Sequence, residues 1–316
     1  MYTQITAAER YTIARLRQHG YSMAAIARLL GRHRSTIYRE VRRNATHYDA
    51  GYRSELADSY ARTRRSLSRR NQRFSPADWG QVHGQLRELW SPEQIAGRFR
   101  YERRLRISHE TIYRHIWADK RAGGILHTYL RGSPKQCRKR YGHYDSRGRL
   151  AGKRLITERP AIVDARNRIG DWEADTILGP EGHRPCVLSL VERKTGYLVL
   201  GKLPARTIAA VNHRAIRLLR QQPRPVHTLT CDNGTEFHGY AKLEAATNLR
   251  CYFATPHHAW ERGTNENTNG LVRQYLPKRT SLAHLTQRDC TAIARALNQR
   301  PRKRLGYRTP EECYGS

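Results

Sequence analysis

The chain lacks any run of about 18 consecutive apolar residues and has no basic-then-apolar leader pattern within Met1–Gly20. A membrane-spanning helix and a secretory signal are thus not expected, which points to a soluble, cytoplasmic protein. Cysteine is sparse. The six residues Cys137, Cys186, Cys231, Cys251, Cys290 and Cys313 form no C-x-x-C pair, so a zinc knuckle is excluded, and their wide spacing suggests reduced thiols rather than disulfides. Acidic residues are the most telling shortage: 27 Asp plus Glu stand against 59 Lys plus Arg, a formal charge of +32. Self-repulsion of that size opposes compaction and calls for a polyanionic partner, since each neutralised phosphate releases a counterion. An anionic membrane surface is the competing partner, but no apolar segment supports it.

At 316 residues there is room for two or three domains. Thr6–His19 reads as a helix opened by the capping-box pair Thr6 and Glu9 and ended by Gly20. Ser22–Leu30 is a short second helix stopped by Gly31. His33–Arg43 is a third, with Ile37 and Val41 inward. A glycine-bearing turn before a basic last helix describes a helix-turn-helix, whose last helix lies in the DNA major groove. The candidate DNA contacts are Arg32, His33, Arg34, Ser35, Thr36, Arg39, Arg42 and Arg43.

A self-similarity follows. Ile95-Ala96 echoes Ile26-Ala27, and Thr111-Ile112-Tyr113-Arg114 echoes Thr36-Ile37-Tyr38-Arg39, with six extra residues assigned to the second unit's turn. This predicts a second helix-turn-helix with contacts at His109, Thr111 and Arg114. Between the units lie six arginines and no acid over residues 62–73. Eleven basic residues and one acid, Asp145, occupy residues 120–154. Such stretches read as linkers able to track a phosphate backbone. The expected organisation is therefore residues 1–60 and 75–120 as all-α DNA-binding units, 61–74 and 121–161 as basic linkers, and 162–316 as a further domain.

That last part changes texture. Asp171–Leu178, Pro185–Glu192 and Gly196–Leu203 read as three strands, Arg206–Arg220 as a helix, Val226–Cys231 and Leu249–Ala254 as strands, and Glu266–Leu276 and Asp289–Arg300 as helices. This is the order of a ribonuclease-H-like α/β core with one mixed sheet. Asp175 sits inside the first strand, where a charge is costly unless it has a partner or a task. Asp232 follows an apolar strand, at the edge where ligands bind in open α/β sheets. Glu266 opens a helix on which Asn269 and Arg273 share its face, and Lys278 and Arg279 extend the basic strip. Phosphodiester transfer needs an activated oxygen nucleophile, a stabilised leaving oxygen and relief of phosphate charge. Two divalent ions held by carboxylates from separate segments supply all three.

The stretches GDWEADTILG, TLTCDNGTEF, TPHHAWERGTNENTNGLVRQYLPKRT and LNQRPRKRLGYRTPEE resemble the integrase-like DDE transposases, most closely the bacterial insertion-sequence family numbered thirty. GRHRSTIYREVRRN resembles the same family's amino-terminal helix-turn-helix, so the likeness covers nearly the whole chain. It implies an Asp, Asp, Glu triad with a 33-residue gap between the last two, and 33 residues separate Asp232 from Glu266. It further implies a retroviral-integrase-like core, two Mg²⁺ (or Mn²⁺) ions on Asp175, Asp232 and Glu266, and double-stranded DNA partners: the element's terminal inverted repeats and a target. A homodimer or higher oligomer acting at the prokaryotic nucleoid completes the expectation, with Arg273 neutralising phosphate.

Alternatives remain at this level. Asp171, Glu173 and Asp175 fall on one face of a strand, so position alone does not choose among them; the family motif selects Asp175. Glu236 and Glu261 compete with Glu266. His238, His257 and His258 are candidate ligands or bases, Trp172 and Trp260 read as packing, and Gly263 and Asn265 set the loop entering the helix. A helix-turn-helix regulator without catalysis explains residues 1–120 equally well, but leaves the three acids without a task.

Overall fold

The computed structural model describes residues 4–46, 48–49, 51–68, 74–132, 152–255 and 263–316. Packing divides the chain into residues 1–76 and 77–316, each compact in itself.

In the first body, α1 (Ala7–Gln18) begins with the Thr6–Glu9 capping box. α2 (Met23–Leu29) is capped by Ser22, and α3 (Arg34–Asn44) by the His33 ring, whose Nδ1 accepts from the Ser35 N–H. Ile13, Ile26, Ile37, Val41, Tyr52 and Ala57 close one core. A fourth helix, α4 (Ser54–Ser68), runs through much of the expected 61–74 linker. Arginine is a good helix former, so a basic composition does not prevent a helix once one side has a core to cover. The buried Arg10 of α1 bonds Glu40 of α3 at 2.7 Å and Asp58 of α4 at 3.0 Å, joining three helices through a compensated charge.

The second body starts with the repeat. α5 (Pro76–Arg87), α6 (Pro92–Tyr101) and α7 (His109–Arg121) form the second helix-turn-helix. Ile95 and Ile112 are fully buried, as are Ile26 and Ile37 in the first unit. The six extra residues are not all in the turn, however. α6 runs three residues further beyond its Ile-Ala pair than α2 does, and the turn carries the other three. Nor is this unit separated from the α/β part by packing. Arg98 of α6 forks onto Glu312 at 2.6 and 2.8 Å and donates to the Tyr307 carbonyl. Gln94 reaches the Pro301 carbonyl, and the Tyr307 ring lies so close to Gly97 that a Cβ there would stand 2.1 Å from it. The expected 121–161 linker holds short 3₁₀ turns at Leu126–Tyr129 and Ile156–Glu158; residues 133–151 lie outside the described set.

The sheet has five strands: β1 (Asp171–Leu178), β2 (Cys186–Glu192), β3 (Leu198–Leu203), β4 (Thr228–Cys231) and β5 (Arg250–Phe253), ordered β3-β2-β1-β4-β5. β2 is antiparallel to both β1 and β3, while β4 is parallel to both β1 and β5. After a five-residue helix α8 (Ala161–Ala165), the other helices are α9 (Ile208–Arg220), α10 (Tyr240–Thr247), α11 (Gly263–Val272), α12 (Gln287–Asn298) and α13 (Pro310–Gly315). This is the ribonuclease-H-like order expected. Side chains alternate across the sheet. Trp172, Ala174 and Leu229 pack with Val211 and Ala215 of α9. Ile177, Val187 and Leu200 pack with Leu271 of α11 and Leu297 of α12 on the other face. Cys186, Cys231, Cys251, Cys290 and Cys313 are free thiols within this packing, and burial pushes those of Cys186 and Cys290 up to about 11. Cys137 lies outside the described residues.

The hydrogen bonds from Arg98 hold the Glu312 carboxyl down at about 2. A depressed carboxylate contributes stability above its unfolded value near 4.5 and loses it as pH falls toward 2. Glu312→Gln should therefore lower the thermal midpoint at pH 7. The gap to the parent chain should close between pH 4.5 and 2; a gap independent of pH over that range would refute the ion pair's role.

Candidate active site

β1 carries three acids on the face that also bears Ile177, and the structure separates their environments. Asp171 is buried and takes bonds from Arg168 and the Thr228 hydroxyl. Glu173 is buried and paired with Arg193 at 2.7 Å, with the Asn265 N–H on its other oxygen at 3.0 Å. Both charges are thus bound to cations of the scaffold. Asp175 is only half-buried, and neutral donors reach it: the Asn269 amide at 2.8 Å and the Thr176 N–H at 2.8 Å.

β4 brings the second acid alongside. Its register with β1 pairs Asp171 with Thr228 and Glu173 with Thr230. Two residues further on each strand stand Asp175 and Asp232, on the same face of neighbouring parallel strands. The Asp232 turn is fixed by the Gly234 N–H on Oδ1 and by Asn233, which donates to the Ala254 carbonyl and accepts from Lys153.

α11 docks on this face through the Asn269–Asp175 bond and the Leu271 and Val272 side chains. Glu266, one turn before Asn269, is exposed. Among the described residues no three His, Cys, Asp or Glu side chains are gathered closely enough to hold a metal. The two aspartates are brought together; the glutamate is on the adjoining helix but not converged with them. All three are oxygen donors, the set that suits a hard divalent cation.

The other expected residues fall in varied places. Arg273 ends α11, and its guanidinium donates to the carbonyls of Leu178 at 2.9 Å and Leu276 at 3.4 Å, tying the helix end to the end of β1. Helix α11 ends at Val272 rather than continuing to Leu276, which turns this side chain toward the sheet edge. Asn269, expected to meet DNA, donates to Asp175. Lys278 and Arg279 are exposed, and Asn265 is buried in the first turn of α11. His257, His258, Trp260 and Glu261 lie outside the described residues. Trp172 is a core residue and His238 is half-buried.

In the first helix-turn-helix Arg34, Arg39, Arg42 and Arg43 are exposed along α3, while Ser35 and Thr36 are half-buried. Arg32 is bound to Glu9 at 2.8 Å, and the bond from Arg32 holds that carboxyl down at about 2, so it braces the turn against α1. His33 serves as the cap of α3. In the second unit His109 and Arg114 are exposed, and Thr111 bonds the capping Ser108.

In the sequence Glu236 stands out only as a rival third acid. Glu236, fully buried below the Asp232 turn, accepts from the Thr176 hydroxyl at 2.9 Å and from Arg206 at 2.6 Å. Its place in the contiguous motif DNGTEF, four residues after Asp232, was the available signal. A cleft of about 710 Å³ opens beside it, lined by the β1–β2 turn, Ala205, Arg206 and Thr207.

Residues 1–44 match the family described as a helix-turn-helix domain. The transposase for insertion sequence element IS4351 of Bacteroides fragilis is 41% identical over 99% of this chain and 96% of its own length. That for IS1086 of Cupriavidus metallidurans is 39% identical over 98% and 93%. Transposase InsI for IS30A of Escherichia coli K12 is 34% identical over 98% and 82%. The catalytic core domain of BIV integrase overlays with a TM-score of 0.38 at 20% identity, covering 46% of this chain and 93% of that one. The sheet order, not that loose overlay, identifies the fold. Aligned almost end to end with relatives named transposases, the chain belongs to the family of insertion-sequence transposases that includes that of IS30.

Proposed function

We propose that this transposase binds the terminal inverted repeats of its own element through the helix-turn-helix units. It then cleaves the element end and joins the freed 3′-hydroxyl to target DNA, using Asp175, Asp232 and Glu266. A regulator without catalysis is not favoured, since the full-length relatives are named transposases. The observation that carries the reading is the β1–β4 register, which sets Asp175 and Asp232 side by side on the face that α11 covers.

Asp175 and Asp232, with Glu266 carried in on α11, would hold Mg²⁺ or Mn²⁺, two ions per site. When bound, such ions lower the pKa of an oxygen nucleophile and neutralise charge on the phosphate and leaving oxygen. The chain's own part is placement. Asn269 and the Thr176 N–H orient the Asp175 carboxylate toward the edge that also carries Asp232. Asp171 and Glu173, two β-repeats and one away, are neutralised by Arg168 and Arg193 and so do not compete. A dimer or larger homo-oligomer would bring two element ends together.

Asp232→Asn should keep binding to element ends while strand joining in Mg²⁺ falls roughly 100-fold or more, since several kcal/mol of charge stabilisation are lost. Unchanged joining, read from mapped products on a plasmid, would overturn the enzyme assignment of this site. Asn269→Ala should lower joining about 10–100-fold with unaltered end binding, as expected for removal of an oriented donor to a ligand carboxylate; an equal loss in end binding would mark it as a DNA contact instead. Removing the charge of Arg34 or Arg39 should weaken end binding by about 1–3 kcal/mol if either reads a base. Equal weakening on unrelated DNA would show phosphate contact only.

A further inference from the structure

Glu236 is a carboxylate with one oxygen used and one not. Oε1 accepts from Thr176 Oγ1 and Arg206 Nε, whereas Oε2 is buried and meets no hydrogen-bond partner. An unpartnered oxygen of a buried acid is costly and asks for a donor or a cation. Its direction is given by Gly234. A Cβ at that position would stand 2.3 Å from Glu236 Oε2 and 2.9 Å from Asp232 Oδ1. The two oxygens therefore both lie against the Gly234 backbone, no further apart than the sum of those distances. A side chain at Gly234 would collide with both, so glycine is what lets the two carboxylates approach this turn.

Two alternatives are weaker. If Glu236 were only a brace between β1 and the β3–α9 loop, its bonds to Thr176 and Arg206 would suffice, and Oε2 would find a donor in the same wall. If Arg206 were there to cancel the charge outright, a fork onto both oxygens would do so better, yet Arg206 touches Oε1 alone among the described contacts. The cation side of the carboxylate is satisfied on one oxygen, and the other is turned to Asp232.

We propose that Glu236 is a fourth carboxylate of the divalent-cation site, sharing with Asp232 the ion nearest the β4 turn. The inference rests on the metal-site reading of Asp232 given above. Arg206 and Thr176 hold Glu236 in place, so the same acid also ties the residue after Asp175 to the turn that carries Asp232. In this arrangement the site has a pair of oxygens, Glu236 Oε2 and Asp232 Oδ1, that exists before Glu266 closes in from α11.

The test is cation binding by the full-length protein without DNA, using Mn²⁺ titrated by electron paramagnetic resonance and Ca²⁺-induced thermal stabilisation. Glu236→Gln keeps an oxygen for Thr176 and Arg206 but removes the charge. Mn²⁺ affinity should fall roughly tenfold or more, and the Ca²⁺-induced rise in melting temperature should shrink. The rise is read within each variant, so a lower starting stability does not obscure it. Should the Gln variant fail to fold, Glu236→Asp, which retains charge on a shorter stem, is measured the same way and is also expected to bind more weakly. Unchanged Mn²⁺ affinity in a folded Glu236 variant, with Asp232→Asn weakened, would overturn this inference alone. Unchanged affinity in Asp232→Asn as well would remove the metal site itself.

Discussion

A strand gives successive side chains to opposite faces, and everything at this site follows from how that rule acts on one strand. It places Asp171, Glu173 and Asp175 on a single face of β1, three negative charges in a row inside a sheet. Buried carboxylates survive only if compensated. The chain answers with Arg168 for the first and Arg193 for the second, while the Asn269 amide and the Thr176 N–H orient the third. Burial falls along the strand in the same order, from the buried Asp171 and Glu173 to the half-buried Asp175. The parallel pairing with β4 then sets Asp232 beside that last acid, because both strands end toward the same edge.

Much of this was legible beforehand. Alternating apolar residues marked the strands to within two positions, and the Thr6–Glu9 cap is in place. The repeat was visible because buried isoleucines must recur where two helix-turn-helix cores recur. Less legible were relations that depend on packing between distant segments. That Asp171 and Glu173 are scaffold charges required knowing that Arg168 and Arg193 return to them. Asn269 reads as a polar helix residue, and only the docking of α11 on β1 turns its amide to Asp175. Arg273 looked like a phosphate contact by helical spacing, but the helix ends beside it and its guanidinium meets backbone carbonyls. Likewise the arginine run after residue 61 looked like a linker, although one face of α4 had Arg10 and a core to meet.

The large positive charge divides along the same line. Some arginines are internal: Arg10, Arg159, Arg193 and Arg300 are buried, and Arg98 holds the second helix-turn-helix against the carboxyl-terminal segment. These partner carboxylates, hydroxyls and carbonyls of the fold and do not contribute an open basic surface. The exposed arginines of α3 are different, since Arg34, Arg42 and Arg43 project from a helix whose apolar side is fixed by Ile37 and Val41. Net charge therefore overstates the DNA footprint, and burial distinguishes scaffold cations from those able to release counterions.

The same reasoning applies with opposite sign to the acids. In a chain with more than twice as many basic as acidic side chains, an acid without a cationic partner is anomalous, and cations for pairing are abundant. Where an oxygen is nevertheless left without one, as at Glu236 Oε2, scarcity of partners cannot be the reason. The geometry must exclude them. The Gly234 backbone packs against Oε2 and Arg206 reaches Oε1 alone, so the second oxygen is turned away from side-chain cations. A small, hard, multivalent ion can meet a buried carboxylate oxygen without the bulk of an arginine side chain, which is why the partner proposed for Oε2 is a cation of that kind.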